Sequence, residues 1–381
     1  MSSFSNRIAA ELRGDRVIWM IVVMLSLFSI LAVYSSASSM AFKERGGSTE
    51  WVLIRHVLTL GMGWVVLYLC YLMHYMRYKQ FAPSFLLLSV GLLLLTFAFG
   101  VTINNATRWL RLPLIGLTFQ TSDLAKIGIV TYVAKTISDK QDVIKDFQSA
   151  FLPILVPILV VCGLIAPANL STALLIFAVC MAMMFIGRVD VKYILLLMFC
   201  GVLLFGFLII IGRAFPSLHI RVDTWVSRLQ GFFAGTGDRW QIEQAEIAIA
   251  RGGWIGNLPG SSIQRNYLPE ASSDYLFAII MEEYGLIGGA LIMGLFVLLF
   301  LRVVRLVTIG QKSFGVMLAV GMALLVTMQA LANMAVAVNF VPVTGLSMPM
   351  LSMGGTSLIF SCASFGIILS VSKYIEETKS S

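Results

Sequence analysis

Ten runs of apolar residues, each near the length that crosses a bilayer, leave this chain of 381 residues few folds to choose from. A helix needs about 20 consecutive apolar residues to cross a ~30 Å hydrocarbon layer. The runs at 17–36, 51–72, 82–101, 116–134, 149–166, 169–187, 191–212, 274–301, 314–338 and 354–373 approach that length. Backbone in lipid must satisfy its own hydrogen bonds, so such runs are helices. Composition agrees: 59% of residues are hydrophobic and only 12% charged, with a mean hydropathy of +0.90, outside the range of ordinary globular domains. The expectation is an all-α integral membrane protein of about ten transmembrane helices, with one long extracytoplasmic loop between spans seven and eight. Residues 1–381 read as a single polytopic membrane domain, with 213–273 as a loop region within it. The first run is too long for a cleaved signal peptide and lacks a small-residue cleavage site.

Placement of Lys and Arg predicts orientation. With the N-terminus inside, the inner segments collect Arg7, Arg13, Arg16, the Arg77/Lys79 pair and the basic residues of 135–145, 188–192, 302–312 and 373–379. The short outer loops and their edges hold only Lys43, Arg45, Arg55, Arg108 and Arg111. An even number of spans puts both termini in the cytoplasm and 213–273 outside. The net charge of +8 then reflects topology and anionic lipid, not nucleic acid. The five cysteines all fall in apolar runs, and the three histidines are scattered, so neither suggests a disulfide framework or a metal site.

Three polar stretches interrupt the apolar runs: the outer turn Asn104–Arg111 leading to Gln120–Lys126, the segment Arg213–Ser273, and the uncharged loop Asn339–Met353. Within 213–273, apolar and polar residues from Asp238 to Ala250 alternate with helical spacing, which predicts an amphipathic helix at the outer interface. Gly252, Gly253, Gly256 and Gly260 then end it in turns. A Pro-started loop carrying Glu270 and Asp274 follows, and span eight itself carries Glu282 and Glu283. Acidic groups at membrane depth are costly unless paired or solvated, so such a cluster marks a functional region.

Several motifs in order then resemble one family. They are Ala106-Thr-Arg108-Trp109, Gln120-Thr-Ser-Asp123-Leu-Ala-Lys126, Trp240-Gln241, Gly252-Gly253, Leu268-Pro269-Glu270, Asp274-Tyr-Leu-Phe-Ala, Glu282-Glu283-Tyr284-Gly285, Pro342-Val-Thr-Gly345-Leu346 and Gly354-Gly355-Thr356-Ser357. By these the chain resembles the SEDS family of membrane peptidoglycan polymerases over nearly its whole length. The stretch Gly260–Glu270 is more similar to the division-type (FtsW) pattern than to the elongation-type (RodA) one. It departs from the family at Asp123, Asn169 and Met353, where a glutamate, an aspartate and a tyrosine are usual.

The resemblance implies a glycosyltransferase that polymerises a lipid-linked disaccharide (lipid II) during septal wall synthesis. An acceptor hydroxyl attacks the donor's anomeric carbon with inversion, and polyprenyl diphosphate leaves. Such a displacement needs a carboxylate to take the proton and positive charge for the departing diphosphate. The resemblance places the base at Asp274, at the mouth of span eight; by position alone it is equally a helix cap. Glu270 would raise its pKa or orient it.

Arg108 beside Trp109 is either a diphosphate contact or a headgroup anchor. Asp123 and Lys126 share a helix face as a self-neutralising pair or a substrate contact. Gly354, Gly355, Thr356 and Ser357 open span ten, as an anion cradle or as a cap. Glu282 lies nearer the face of Asp274 than its neighbour Glu283, as a site residue or a buried partner for a cation. Arg228, Arg239 and Arg251 are unranked phosphate contacts. No cofactor is firmly implied, and a divalent cation is left open. Implied partners are lipid II, a class B penicillin-binding transpeptidase, other division proteins and membrane lipids. From composition, a flippase for the lipid-linked precursor is the competing reading, and a division-complex scaffold is the third.

Overall fold

The computed structural model describes residues 13–43, 48–103, 106–111, 118–214, 221–234, 239–268, 272–309 and 314–380. Its helices are α1 (Arg16–Lys43), α2 (Thr49–Leu72), α3 (Tyr75–Phe99), α4 (Thr121–Asp139), α5 (Leu152–Ile165), α6 (Leu170–Ile186), α7 (Val191–Ala214), α8 (Val222–Ala234), α9 (Arg239–Gly252), α10 (Leu276–Ile309), α11 (Phe314–Ala337) and α12 (Thr356–Ser380). Among the described residues eight helical stretches are long and apolar enough to cross a membrane; α5, entered through the π-turn Phe147–Phe151, belongs to one of them. The apolar α6 is shorter. The chain is thus a helical, multi-pass membrane protein.

The centre of the bundle is α11, almost wholly buried and apolar apart from Thr327, Gln329 and Asn333, as expected of a helix surrounded by others. Its glycines and alanines let neighbouring helices approach closely, and it packs against α4, α6, α10 and α12. By contrast α7 stands at the edge, with most of its surface uncovered.

Polar contacts identify two ends of the bundle. At one, Asp15 caps α1 by accepting from Val17 N, pairs with Arg302 of α10 and donates its own N–H to Ser372 of α12. Lys79 and Asp139 pair there as well, 2.6 Å apart, joining the start of α3 to the end of α4. The described N- and C-terminal ends of the chain therefore lie at the same end. At the other end are the end of α1 and the starts of α4, α10 and α12.

A departure from the all-α expectation sits at this second end. Val101–Ile103, Ala106–Arg111 and Thr118–Gln120 form an antiparallel sheet β1-β2-β3, in which Trp109 pairs with Gln120 and Arg111 with Thr118. The outer turn is thus partly sheet, and the helix of span four starts at Thr121, not near residue 116. Hydropathy does not separate an apolar β-strand such as Thr118-Phe119 from a helix start, whereas β-branched and aromatic residues favour the pleat. Phe119 packs edge-on against Phe360 of α12, with centroids 5.5 Å apart, which ties the sheet to the bundle.

In 213–273 the amphipathic helix falls where its spacing predicts, as α9. A second amphipathic helix, α8, precedes it and was not foreseen.

Candidate active site

Beside α6, α8 and α11 lies a cavity of about 600 Å³. Leu174, Leu175, Phe205, Trp225, Leu229 and Met328 give it apolar walls, and Val341–Thr344 and Leu346 border it. Three arginines enter it: Arg108 from β2, Arg221 at the start of α8 and Arg228 about two turns later. Arg108 Nε donates to Ala168 O at 2.7 Å, and Arg228 Nη1 donates to Val343 O at 3.0 Å. Burial, then the charges of Arg221 and Arg228, lower the pKa of Arg108 to about 10, while Asp274 opposes this. Burial and Arg228 likewise lower that of Arg221. Like charges gathered this closely in an apolar wall make a site prepared for an anion.

Asp274 lies in the turn Ser272–Tyr275 that leads into α10. Its Oδ2 is 3.6 Å from where a Cβ on Gly345 would sit, so the carboxylate lies against the loop that borders the cavity. Gly345 has φ +67, a conformation glycine adopts without steric cost. The backbone of the turn is held by α11 and by the loop Asn339–Met353. Asn333 Nδ2 donates to Asp274 O at 3.1 Å, Ser352 Oγ to Ser273 O at 3.0 Å, and Met353 N to Ser272 O at 3.1 Å. Met353 contributes to this turn through its backbone N–H, a contact that does not depend on the side chain at 353. Glu270 lies outside the described residues.

Other predicted site residues are placed elsewhere. Asp123 and Lys126 form a buried ion pair of 2.7 Å, and Lys126 also donates to Gln329 Oε1 at 3.0 Å. Gln329 Nε2 in turn holds Ser347 O at 2.8 Å. This pair lies behind the loop and off the large cavity. The Gly354–Ser357 turn meets β3 and the loop: Thr356 Oγ1 accepts from Gln120 N, and Ser347 and Ser357 hydroxyls are 3.2 Å apart. Asn169, where the family carries aspartate, caps α6 by accepting from Thr172 N at 3.2 Å and lines the cavity. Asn caps about as well as Asp.

Glu282 and Glu283 read as facing apart in the sequence, yet both meet Ser262. Glu282 accepts from Ser262 Oγ, from Ile263 N at 3.2 Å and from Gln264 N at 3.3 Å. Glu283 accepts from Ser262 N at 3.2 Å and from Ser35 Oγ. Arg251 stands 3.9 Å from Glu282, which makes a loose ion pair there, not a cavity contact. Two adjacent side chains share a partner because 262–264 lies against this turn of α10; beyond them α10 is broken at Gly285 (φ +67), where Leu286 N and Ile287 N turn to Gly253 O and Trp254 O. Ser35 is near the end of α1's apolar stretch, so these carboxylates sit at the rim of the apolar layer. Both are thus engaged in pinning 253–268 to α10.

We expect Glu282→Gln to leave at least one of these N–H donors facing an amide N–H₂, at a cost of about 1–3 kcal/mol. A lower melting temperature in detergent, with faster proteolysis inside 253–268, is the expected readout. An unchanged melting temperature and cleavage pattern would count against the pinning role.

The sequence singles out none of Arg221, Gln329, Asn333 and Ser262 as a site residue, and Ser352 only as part of the motif Ser352-Met-Gly354-Gly355-Thr356-Ser357. Gln329 and Asn333 carried a usable signal: two amides spaced four apart in an otherwise apolar span share one helix face. Among the described residues no group of three or more His, Cys, Asp or Glu is placed to hold a metal ion.

Comparison with known proteins places the chain among relatives of similar sequence and fold. The family model FtsW/RodA/SpoVE, described as cell cycle protein, matches residues 15–377. A relative from Geobacter sp. (strain M18), named "Probable peptidoglycan glycosyltransferase FtsW", is 34% identical over 94% of this chain and 96% of its own. One of the same name from Coxiella burnetii is 31% identical over 93% and 95%. The fold is similar to that of a chain from a peptidoglycan synthase complex solved for the structural coordination of polymerization and crosslinking. That chain has a TM-score of 0.71 at 24% identity, covering 95% of this chain and 98% of that one. Thermus thermophilus RodA is similar at a TM-score of 0.66 and 23% identity, over 94% and 96%.

Proposed function

Because this chain belongs to the FtsW/RodA/SpoVE family of cell cycle proteins, we propose that it is a peptidoglycan glycosyltransferase that polymerises lipid II. The observation that carries the reading is the arginine-rimmed apolar cavity with Asp274 at its border. A lipid-linked sugar diphosphate matches each part of it. The diphosphate suits Arg108, Arg221 and Arg228, and the polyprenyl chain suits the apolar walls. These walls continue into a smaller apolar pocket of about 250 Å³ between α5, α6 and α7, through the shared residues Leu170, Leu174 and Phe205.

In this mechanism Asp274 accepts the proton of the acceptor hydroxyl as its oxygen bonds to the donor's anomeric carbon. The bond from that carbon to the diphosphate oxygen breaks, and the electron pair leaves with polyprenyl diphosphate. The guanidinium charges stabilise the negative charge that accumulates there. Asp123, Lys126, Glu282 and the Gly354–Ser357 turn support the site by holding the elements around it. In the cell the protein sits in the cytoplasmic membrane with ten spans, α4 and α6 included, both termini inside and 213–268 outside. It acts at the division septum with a class B transpeptidase and other division proteins. Its relatives' name and the peptidoglycan synthase neighbour support this placement. A transporter would concentrate its polar groups at mid-membrane; among the described residues the buried ion pairs Asp123–Lys126 and Asp15–Arg302 lie towards opposite ends of the bundle.

The direct test is gel-resolved polymerisation of labelled lipid-linked disaccharide by the purified protein, alone and with its transpeptidase. A ladder of glycan products is expected. No ladder under either condition, with movement of the lipid across vesicles, would establish the flippase reading instead. For topology, Pro259→Cys is expected to react with a membrane-impermeant thiol reagent in intact cells, and Asp142→Cys only after lysis. The reverse pattern would put the cavity in the cytoplasm and remove the polymerase.

A further inference from the structure

One buried amide in the central helix is tied to the backbone of the catalytic turn and to the rim of the cavity at once. Asn333, 1% exposed, sits on α11. Its Nδ2 faces three carbonyls: Leu346 O at 2.7 Å, Asp274 O at 3.1 Å and Ser273 O at 3.5 Å. Carbonyls only accept, so the N–H₂ end must point at them; the Oδ1 end is left without a partner. An unpaired buried acceptor is costly, and the side chain keeps this orientation regardless.

The second tie is Ser352, also buried. Its Oγ donates to Ser273 O and accepts from Met348 N at 2.8 Å. Leu346 lines the cavity, and Gly345 beside it faces the Asp274 carboxylate. One amide thus sets the distance between the carboxylate's own backbone and the wall it must face.

We propose that Asn333, with Ser352, is a positioning residue that aims the Asp274 carboxylate into the cavity. This rests on the reading of Asp274 as the base. Neither residue meets substrate in this proposal; both act through the carbonyls of 273 and 274. The acid–base step depends steeply on geometry, since a misplacement of about 1 Å costs on the order of 10²-fold in rate.

The test is a double-mutant cycle on the purified full-length protein, read as polymerisation rate at saturating lipid-linked disaccharide. Asn333→Ala, a residue well suited to a helix interior, is expected to lower kcat by about 10²-fold with KM near wild type, and to lower the melting temperature as well, because Leu346 O and Asp274 O lose a donor; the cycle separates the two effects. In an Asp274→Asn background, where no base remains to aim, the same change is expected to cost nothing further. Ser352→Ala should show the same pattern with a smaller loss, because Met353 N still holds Ser272 O. An equal loss from Asn333→Ala in both backgrounds, or no loss in either, overturns the proposal. If Asn333→Ala does not fold, the Ser352→Ala cycle decides by the same criterion. Full activity of Asp274→Asn by itself is a separate result: it removes the base assignment, and the positioning role falls with it.

Discussion

Asp274→Asn protein is expected to fold, insert and bind its lipid-linked substrate, and to polymerise it 10²–10⁴-fold more slowly, roughly the range lost when an acid–base group is removed. The carboxamide matches the carboxylate in size and still accepts hydrogen bonds from backbone amides, as Asn does at helix starts. It cannot take a proton at neutral pH. The turn that carries it is held by main-chain contacts: Asn333 to the carbonyl of 274, Ser352 to that of 273 and Met353 N to that of 272. None of these depends on the side chain of 274, so the substitution tests chemistry with the scaffold intact. Asp274→Glu keeps the charge and moves it by one methylene, and an intermediate rate is expected. Gel-resolved products at saturating substrate, with the melting temperature as control, are the measurements. Near-normal polymerisation by a well-folded Asp274→Asn protein would move the search for a base to the remaining carboxylates of the loop, Glu270 first.

The membrane-length runs were legible because lipid imposes one rule on every span, that the backbone satisfy itself, and hydropathy reports it directly. Short elements at the interface obey no such rule. The strands Val101–Ile103 and Thr118–Gln120 are too short for an alternating pattern, and pairing with Trp109 and Leu110 across the sheet makes them strands. Helix α8 has amphipathic spacing too, but its 13 residues are shorter than any span and carry no resemblance motif. Arg108 and Asp274 stood out as charged residues at span mouths. Arg221 could not be separated from the other basic residues of 213–273, since only folding of α8 along the cavity brings it to Arg108 and Arg228.

The acidic pair was legible in another way. Glu282 and Glu283 stand out as an anomaly in an apolar run, and the periodicity leaves open whether they serve the site or the scaffold. A break at Gly285 lets 253–257 run beside α10, and Ser35, Ser262, Ile263 and Gln264 supply the carboxylates with donors that no periodicity encodes. Asn333 was overlooked for a related reason: an amide in a span attracts less notice than a charge, although its hydrogen bonds reach further across the site.

Replacing Arg108 with Gln should lower the polymerisation rate about 10²–10³-fold, the cost typical of removing one group that stabilises charge developing in the transition state. Arg108 is the best placed of the three arginines, since it also feels the field of Asp274. Its neighbours give the expectation a pH signature. Burial, Arg221 and Arg228 bring its pKa down to about 10, still far enough above neutrality to keep the guanidinium charged in the cell. Because the protonated form is the active one, the activity that depends on Arg108 is present below that pKa and lost as pH rises through it. Arg228→Gln removes a positive neighbour, so it should raise the pKa of Arg108 and move this alkaline limb to higher pH, even while it slows the reaction at neutrality. Arg108→Gln should abolish the limb. A headgroup anchor would behave otherwise: its loss would weaken retention in anionic membranes but leave kcat and the alkaline limb of the detergent-solubilised protein unchanged. Measuring kcat from pH 7 to 11 for the wild type, Arg108→Gln and Arg228→Gln distinguishes the two roles. An alkaline limb that persists in Arg108→Gln would show that this arginine does not hold the leaving diphosphate.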